Sequence, residues 1–241
     1  MVRMIAVITD VHANLPALEA ALSEIDALGC DEIVHTGDAI GIGPFPAETL
    51  DRLLARPRIR FAMGNHDAWF SLGLPDNAPE WMDEGERRHH EWVHAQLPDD
   101  LRTVVESWPW AHTDEFRGVR ALFTHYGHPD GHGGFAPIRR DPTGRDLDEV
   151  FGDAEVDVVF YGHHHPRCDL TGRARYINPG SLGCHTEPVA RFAVLEVERD
   201  GAWSVAFHQA PYDPTPVLEA LEARDVPDRE LIRKGFLRFD M

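Results

Sequence analysis

The sequence predicts an α/β protein built around a parallel sheet, and three features lead to this expectation. Residues 4–9 (MIAVIT) form a continuous apolar, β-branched run, which is typical of a central strand buried on both faces. Helical periodicity follows, with Pro16 suited to the first turn and Gly29 ending the helix. Strand and helix then alternate, with strands expected at 32–36 and 59–63 around a short helix at 47–54.

The second half of the chain adds further strand patterns. Strands are expected at 119–125 and 156–161, and a short helix at 146–151. Four short strands separated by Gly-containing turns follow, and we expect them to form an antiparallel second sheet: 168–171, 175–178, 192–198 and 203–209. Two surface helices are expected at the end of the chain, at 214–224 and 228–234.

Residues 69–118 interrupt the strand pattern with two helical patterns, one around Trp92 and one after Pro98. We therefore expect a single domain over 1–241 with a helical insertion at about 69–118. This insertion carries five of the six tryptophans, namely Trp69, Trp81, Trp92, Trp108 and Trp110. Such a stripe most often serves packing, because indole burial stabilises small helical layers. The alternative is that one tryptophan faces a cleft and stacks on a base or an aromatic leaving group.

Composition limits the classes of partner. The formal net charge of −18 should repel nucleic acid and anionic membranes, although a local cationic site could still capture phosphate. Three cysteines with no C-x-x-C pair indicate reduced thiols in a cytoplasmic protein. No apolar run approaches the length of a membrane helix, and the first strand begins too early for a signal peptide. The sequence leaves the oligomeric state open and is compatible with a homo-oligomer.

Five short segments each close a strand-like run with metal-ligand side chains. They are Asp10-Val11-His12, Gly37-Asp38, Gly64-Asn65-His66-Asp67, Thr124-His125 and Gly162-His163-His164-His165. A strand that ends in His or Asp places that side chain at the carboxyl edge of the sheet, where open α/β sheets build their sites. Five such edges that converge on one crevice would form a binuclear metal centre.

The residue types suit divalent transition metals. Asp10 and His12 lie two residues apart, as His163 and His165 do, so that each pair can point to one side of an extended strand exit. A carboxylate with neutral imidazoles favours Mn²⁺, Fe²⁺ or Zn²⁺. Asp38 could bridge two ions, and Asn65 and His125 would add an oxygen and a nitrogen.

Each motif also has an ordinary structural interpretation. Asp10 could cap the first helix, Asp38 and Asn65 could form Asx turns, and the histidines at 163–165 could lie in a solvated loop. None of these interpretations requires matched histidines at successive strand ends, so we favour the metal site. Cys184 and His185 are expected near the pocket but not as ligands.

With these motifs in this order, the chain resembles the calcineurin-like metallophosphoesterases, in the branch of small prokaryotic stand-alone phosphodiesterases. The resemblance runs from residue 8 to about residue 197 and includes residues 14–20 (NLPALEA), 41–44 (GIGP) and 178–183 (NPGSLG). It implies a four-layer α-β-β-α sandwich with mixed sheets.

The resemblance also implies the ligand sets. One ion would be held by Asp10, His12, Asp38 and His165, and the other by Asp38, Asn65, His125 and His163. His66 would face the substrate without binding metal, and Asp67 would orient it. The two ions would share a water, lower its pKa and deliver the hydroxide to phosphorus, while a protonated His66 could serve the leaving oxygen. Mn²⁺ is the expected metal, with Fe, Zn, Ni or Mg as alternatives.

Two departures from the family bear on the substrate. The loop at 126–137 is long and carries His128 and His132, which could reshape substrate entry. Met63 and Gly41 occupy positions where protein phosphatases of the superfamily carry other residues, which argues against a phosphoprotein substrate. Arginines that could contact phosphate are Arg139, Arg140, Arg173 and Arg191.

The predicted function is hydrolysis of small phosphodiesters or nucleotide derivatives. A broad-specificity phosphomonoesterase is the alternative enzyme. A non-catalytic, metal-binding interaction scaffold is the alternative of another class, and it is disfavoured because every ligand position and His66 are filled.

Overall fold

The computed structural model describes residues 2–74, 82–128 and 134–237. Its strands are β1 (Arg3–Ile8), β2 (Glu32–His35), β3 (Ile59–Phe61), β4 (Ala111–Phe116), β5 (Val119–Thr124), β6 (Val158–Phe160), β7 (Cys168–Thr171), β8 (Arg175–Asn178), β9 (Val189–Val197) and β10 (Trp203–Pro211). Its helices are α1 (Leu15–Leu28), α2 (Pro46–Leu54), α3 (Asn65–Leu72), α4 (Glu84–Ala95), α5 (Asp100–Glu106), α6 (Gly144–Phe151), α7 (Thr215–Ala223) and α8 (Arg229–Gly235).

The first helix shows how local sequence sets its ends. The side chain of Asn14 accepts a hydrogen bond from the Ala17 N–H at 3.2 Å and caps the N-terminus of α1. Pro16 occupies the first turn, where its missing N–H is not needed. Gly29 ends the helix with a φ of 73°, a left-handed conformation that costs glycine little. These are the boundaries that the sequence predicts.

The strands form two mixed sheets of five strands each. The first sheet has the order β10-β9-β1-β2-β3, and the second has the order β4-β5-β6-β8-β7. In the first sheet β1, β2 and β3 run parallel, and β9 pairs antiparallel with β1. In the second sheet β5, β6 and β8 run parallel.

The two sheets pack face to face, and alternate residues of their strands fill the space between them. β1 contributes Ile5 and Val7 to this inner core, where the rings of Phe123 and Phe160 stack with centroids 5.4 Å apart. Ile8 points to the opposite face and packs in the cluster that includes α1. Helix α6 covers the outer face of the second sheet through the cluster around Leu147. The result is the α-β-β-α sandwich that the resemblance implies.

The prediction that the last four strands form an antiparallel second sheet of their own is wrong. β9 and β10 extend the first sheet beside β1, whereas β7 and β8 join β5 and β6 in the second sheet. Both β1 and β9 are apolar along most of their length and are buried on both faces. Local periodicity identifies such strands but does not encode which strand lies beside which, because pairing depends on contacts distant in sequence.

The segment 69–118 also contains a strand that the sequence analysis does not assign. Residues 111–116 form β4, which pairs antiparallel with β5 at the edge of the second sheet. Its side chains alternate between exposed and half-buried positions, so the segment lacks the apolar run that reveals a central strand. The helical part of this region, apart from α3, lies at α4 and α5.

Replacement of Phe160 tests the inner core. Phe160 is fully buried between the sheets, so Phe160→Ala should lower the free energy of unfolding by about 3–5 kcal/mol through the cavity it creates. Urea unfolding followed by circular dichroism measures this difference. Leu72→Ala is the control, because Leu72 is 58% exposed and its truncation should change stability by less than about 0.5 kcal/mol. Equal effects of the two variants would contradict the proposed packing.

Candidate metal centre

The seven predicted ligands all follow the carboxyl ends of strands, and the structure brings them together at one edge of the sandwich. They are Asp10 and His12 after β1, Asp38 after β2, Asn65 after β3, His125 after β5, and His163 and His165 after β6. Because β1, β2 and β3 run parallel in one sheet and β5 and β6 in the other, their carboxyl ends meet at the same crevice.

The first donor group consists of Asp10, His12, Asp38 and His165. The Nε2 atom of His12 lies 3.0 Å from the Nε2 atom of His165. It also lies 3.7 Å from Oδ1 of Asp10 and 3.8 Å from Oδ2 of Asp38. The same Oδ1 of Asp10 is 3.7 Å from Nε2 of His165. These atoms therefore face a common centre.

The second donor group consists of Asp38, Asn65, His125 and His163. The Nε2 atom of His125 lies 3.2 Å from Oδ2 of Asp38 and 3.2 Å from Oδ1 of Asn65. One ligand atom from each of Asp38, His125 and His163 lies within 4.8 Å of the other two. The Oδ2 atom of Asp38 belongs to both donor groups, so the predicted bridging position is the one that the structure places at their junction.

The hydrogen bonds of the histidines show that these groups fit a cation. Nδ1 of His125 lies 2.9 Å from the Thr36 carbonyl oxygen, and Nδ1 of His12 lies 3.3 Å from the Ile40 carbonyl oxygen. Each Nδ1 must donate its proton there, so Nε2 is the atom that each ring presents to the carboxylate oxygens, and it is a lone pair whenever the ring is neutral. Acceptors that converge in a buried site require a cation between them. Imidazole nitrogens with carboxylate and amide oxygens suit divalent transition metals.

Burial sets the protonation of two of these rings. It lowers the pKa of His12 to about 3 and the pKa of His163 to about 3, so both rings are neutral and able to bind metal at neutral pH. His125 differs. Burial lowers its pKa, but the carboxylate of Asp38 and then that of Asp10 outweigh this effect and raise it to about 9. In the metal-free chain a proton can therefore satisfy the oxygens that a metal ion would bind.

Asp67 holds the loops of the metal centre rather than the His66 ring. Its buried carboxylate accepts hydrogen bonds from three backbone amides, those of Asp38 at 2.7 Å, Ala39 at 3.0 Å and Gly64 at 3.0 Å. The expectation that Asp67 orients His66 is thus not what the geometry shows. The first turn of α3 folds back on Gly64, which directs the Asp67 side chain at the backbone after β2.

The Asp38 carboxylate is fixed from the other side by α3. Its Oδ1 accepts the backbone N–H of His66 at 2.9 Å, which leaves Oδ2 free to face His12 and His125. The charge of the adjacent His125 overcomes the effect of burial and holds the pKa of Asp38 well below its usual range. Asp38 is therefore an ionised carboxylate in a defined orientation.

Five of the seven predicted ligands have left-handed backbone conformations, namely Asp10, His12, Asp38, His163 and His165, with φ between 48° and 66°. Non-glycine residues adopt this region uncommonly, although Asp and His are enriched there. Such conformations persist where the surrounding structure compels them, and they cluster at functional sites. Tight turns directly after the strands direct these side chains into the crevice.

A cavity of about 960 Å³ opens onto the donor groups. Asp38, Asn65 and His66 lie among the residues that line it. The His66 ring is packed between its neighbours, with centroid distances of 5.0 Å to His12, 4.9 Å to Trp69 and 5.1 Å to His90. His66 therefore lies beside the donor groups and lines the cavity, and a ring nitrogen of His66 is also within 4.8 Å of ligand atoms of His12 and Asp38.

The tryptophans of residues 69–118 that the structure describes differ in their surroundings. Trp69 lines the cavity, whereas Trp108 stacks on Phe61 with ring centroids 4.3 Å apart and serves packing. Trp92 likewise packs against the hydrophobic clusters. Trp81 lies outside the described residues.

Sequence reasoning missed two histidines, His89 and His90, on α4. Both are buried and both line the cavity. They follow no strand, so the strand-end criterion does not find them. The only sequence signal was the excess of histidine over what the five motifs explain, with 15 in the chain.

Other expectations about the pocket have mixed outcomes. Cys184 is buried near His12 and His165, and burial raises the pKa of its thiol, which favours the protonated, weakly ligating form. His128 packs its ring against Trp110 and Phe135, and His132 lies outside the described residues. No arginine is among the described residues that line the cavity, so the four arginines proposed for phosphate contact do not reach it there.

Comparison with known proteins shows the family and the fold of this chain. The calcineurin-like phosphoesterase superfamily domain matches residues 4–200. The uncharacterised protein MJ0912 of Methanocaldococcus jannaschii is 24% identical over 93% of this chain and 94% of its own length. The hypothetical protein PH1004 of Pyrococcus horikoshii superposes with a TM-score of 0.80 at 19% identity, covering 95% of this chain and 97% of that one. A metallophosphoesterase from Sphaerobacter thermophilus has a TM-score of 0.71 at 26% identity, covering 95% and 96%.

The chain belongs to the calcineurin-like phosphoesterase superfamily, since the family domain spans most of its length. Membership indicates a hydrolase of phosphoric esters that uses divalent metal ions, and the two donor groups are the candidate ligands in this chain. Within the described ranges, no helix has both the length and the apolar character needed to cross a membrane.

A methyl group at Gly64 should dismantle the centre. A Cβ at this position would overlap the carboxylate and the backbone nitrogen of Asp38, and neither can move without breaking the hydrogen bonds that fix them. Gly64→Ala should therefore lower the amount of bound metal per chain more than tenfold, as measured by elemental analysis after dialysis against Mn²⁺. Gly134→Ala is the control, because nothing lies within 4 Å of a Cβ there. Normal metal content in Gly64→Ala would contradict this geometry.

The ionisation of Glu86 at the cavity wall should appear in the pH dependence of stability. Burial, followed by Asp83 and Asp228, raises its pKa from 4.5 to about 7. The folded chain thus holds this proton more tightly than the unfolded chain, and its stabilising contribution is complete below pH 4.5 and lost as the pH rises through about 7.

Glu86→Gln has no carboxyl group at this position and therefore does not lose this stability as the pH rises. The difference in melting temperature between variant and parent should therefore be more positive at pH 8 than at pH 4.5, as measured by calorimetry. The exposed Glu84 on the same helix provides a matched control, and Glu84→Gln should show no such pH-dependent difference. If the difference in melting temperature between Glu86→Gln and the parent protein were the same at both pH values, a raised pKa of Glu86 would be ruled out.

Proposed function

We propose that the protein is a phosphodiesterase that hydrolyses small phosphodiesters or nucleotide derivatives with a pair of divalent metal ions, Mn²⁺ in the first instance. The observation that carries this proposal is the pair of donor groups that share Oδ2 of Asp38 beside a cavity. A single structural ion would need only one of these groups. Two groups with a common carboxylate suit the two-metal clamp of phosphoryl transfer.

Each ion has a defined set of candidate ligands. Asp10, His12, Asp38 and His165 would hold one ion, and Asp38, Asn65, His125 and His163 would hold the other. When bound, the two ions supply Lewis acidity towards the phosphoryl oxygens and lower the pKa of a shared water. The roles of the seven side chains are to bind the ions and, through Asp38, to fix their separation.

His66 is proposed as the residue that contacts the phosphoryl group. Its position in the first turn of α3 places it at the positive end of the helix dipole, where an anionic phosphate is favoured. Its ring packs among His12, Trp69 and His90, so it has little freedom to leave the cavity. Asp67 is proposed as a positioning residue that acts through the backbone of Asp38.

The size of the cavity favours a diester over a monoester. A volume of about 960 Å³ exceeds what a phosphate group with one small alcohol requires, and its wall includes Trp69, Phe135 and Phe236. These rings could hold the organic group on the far side of phosphorus. The cytoplasmic location and the homo-oligomer remain predictions from the sequence.

Turnover of two chromogenic esters tests the proposal. Protein loaded with Mn²⁺ should hydrolyse bis(p-nitrophenyl) phosphate with a higher kcat/KM than p-nitrophenyl phosphate, and chelation with EDTA should abolish both activities. The release of p-nitrophenol measures the rates. A preference for the monoester would instead favour the broad phosphomonoesterase, and no turnover with any divalent metal would support the scaffold.

Variants of His66 and Asp38 separate catalysis from metal binding. His66→Gln should retain both metals and lower kcat by about 10²- to 10⁴-fold, the range for loss of a general acid or a phosphoryl contact. Asp38→Ala should lose both metals and activity, because both donor groups contain this carboxylate. Metal content and turnover are measured on the same samples. Full turnover in His66→Gln would remove it from the mechanism, and loss of metal there would make it a ligand.

A further inference from the structure

The part of the cavity wall beside the donor groups that comes from α4 and α8 carries polar groups that phosphoryl transfer does not use. Five residues form a surface that we call the α4–α8 wall. They are Glu86, His89 and His90 of α4, Asp228 before α8, and Phe236 after α8. This wall belongs to the same cavity as Asp38 and His66. It therefore lies within reach of a substrate whose phosphate is at the metal centre.

Two buried imidazoles of the wall have unused hydrogen-bonding atoms. His89 is 5% exposed and His90 is 1% exposed. Nδ1 of His89 lies 3.2 Å from the Pro227 carbonyl oxygen, but Nε2 of His89 and Nε2 of His90 have no hydrogen-bond partner within the described part of the chain. Buried polar atoms are rarely left without a partner, so this pair indicates a ligand in the cavity.

Two carboxylates of the wall also lack a counter-charge. Among the described residues, no arginine, lysine or histidine forms an ion pair with Glu86 or Asp228. The carboxylate of Asp228 lies so close to Gly85 that a Cβ there would overlap it, which places this charge beside Glu86 at the start of α4. The raised pKa of Glu86 agrees with this crowding of acidic groups.

The remainder of the outer cavity is apolar and offers no positive side chain. Trp69, Leu231 and Phe236 line it, and neither arginine nor lysine occurs among its described lining residues. Additional phosphates in this region would meet carboxylates without compensation, which is electrostatically unfavourable. A cation would meet aromatic rings and carboxylates, the combination that binds quaternary ammonium groups in proteins.

We propose that the α4–α8 wall binds an ammonium group carried by one alcohol of the phosphodiester substrate, with choline-like and ethanolamine-like esters as the preferred class. Glu86 and Asp228 supply the countercharge, and Trp69 and Phe236 supply the aromatic faces. Nε2 of His89 and of His90 then accept hydrogen bonds from the N–H groups of an ethanolamine-like ester, or from a water ordered beside a choline-like group, which has no N–H. This inference deepens the proposed phosphodiesterase function and rests on it.

Charge-removing variants test the wall with three p-nitrophenyl diesters. The substrates are p-nitrophenyl phosphorylcholine, which carries a cation, bis(p-nitrophenyl) phosphate and p-nitrophenyl thymidine 5′-phosphate, which do not. Glu86→Gln and Asp228→Asn keep the shape of the side chains, and asparagine tolerates the φ of 56° at position 228. For each substrate, KM and kcat/KM of the variant are divided by those of the parent protein, so that the intrinsic reactivity of each ester cancels.

Each variant should raise KM for the phosphorylcholine ester by about tenfold, the scale expected for loss of one charged contact. Both should leave kcat/KM for the other two esters within twofold, which also shows that the variants fold. Glu84→Gln removes the same charge from an exposed position of α4 and should change none of the three substrates. Three outcomes would overturn the ammonium site. They are equal changes in KM for all three esters, no change for any of them, and a change for the thymidine ester alone.

Direct binding separates this inference from the proposed function. Choline should bind the Mn²⁺-loaded parent protein at least tenfold more tightly than its uncharged analogue 3,3-dimethylbutan-1-ol, as measured by calorimetry, and Glu86→Gln should abolish this difference. This preference does not depend on turnover. If no diester is hydrolysed, the phosphodiesterase proposal fails by itself, whereas equal binding of the two alcohols removes the ammonium site even in an active enzyme.

Discussion

The carboxylate of Asp38 is the constraint on which the site depends. Its Oδ2 is buried between His12 and His125, whose Nδ1 atoms face backbone carbonyl oxygens. The lone pair of His12 and the carboxylate oxygens therefore converge at a buried point, where a protonated His125 supplies the positive charge in the metal-free chain. Such an arrangement is unfavourable without a cation, so the fold presents a site whose stability and chemistry both depend on positive charge.

Backbone hydrogen bonds, rather than side-chain flexibility, maintain this convergence. Asp67 accepts three amides from the segments after β2 and β3, and the His66 amide fixes the remaining oxygen of Asp38. The inner core around Phe123 and Phe160 joins the two sheets, so that donors from both sheets reach one crevice. The left-handed conformations of five ligand residues are the local cost of turning the chain sharply after β1, β2 and β6.

Chemistry and substrate choice come from different parts of the fold. The donor groups lie on turns after strands of the sandwich, whereas the cavity wall comes from α3, α4 and α8. Helices that pack beside a rigid centre can differ in sequence without disturbing the metal ligands. This separation explains why the likeness to other superfamily members identifies the reaction more readily than the substrate.

The sequence by itself determined most of the elements, although not α3 and β4, and the residue types of the candidate ligands. The apolar run before Asp10 and the Pro16 and Gly29 signals of α1 are local, and the recurrence of Asp, Asn and His after strands carries the metal chemistry in its order along the chain. It did not determine that β9 and β10 pair beside β1, that Asp67 binds backbone amides, or that His89 and His90 face the cavity. Those facts arise from contacts between residues far apart in sequence, which periodicity does not encode. Only the packing of two sheets and their helices decides them.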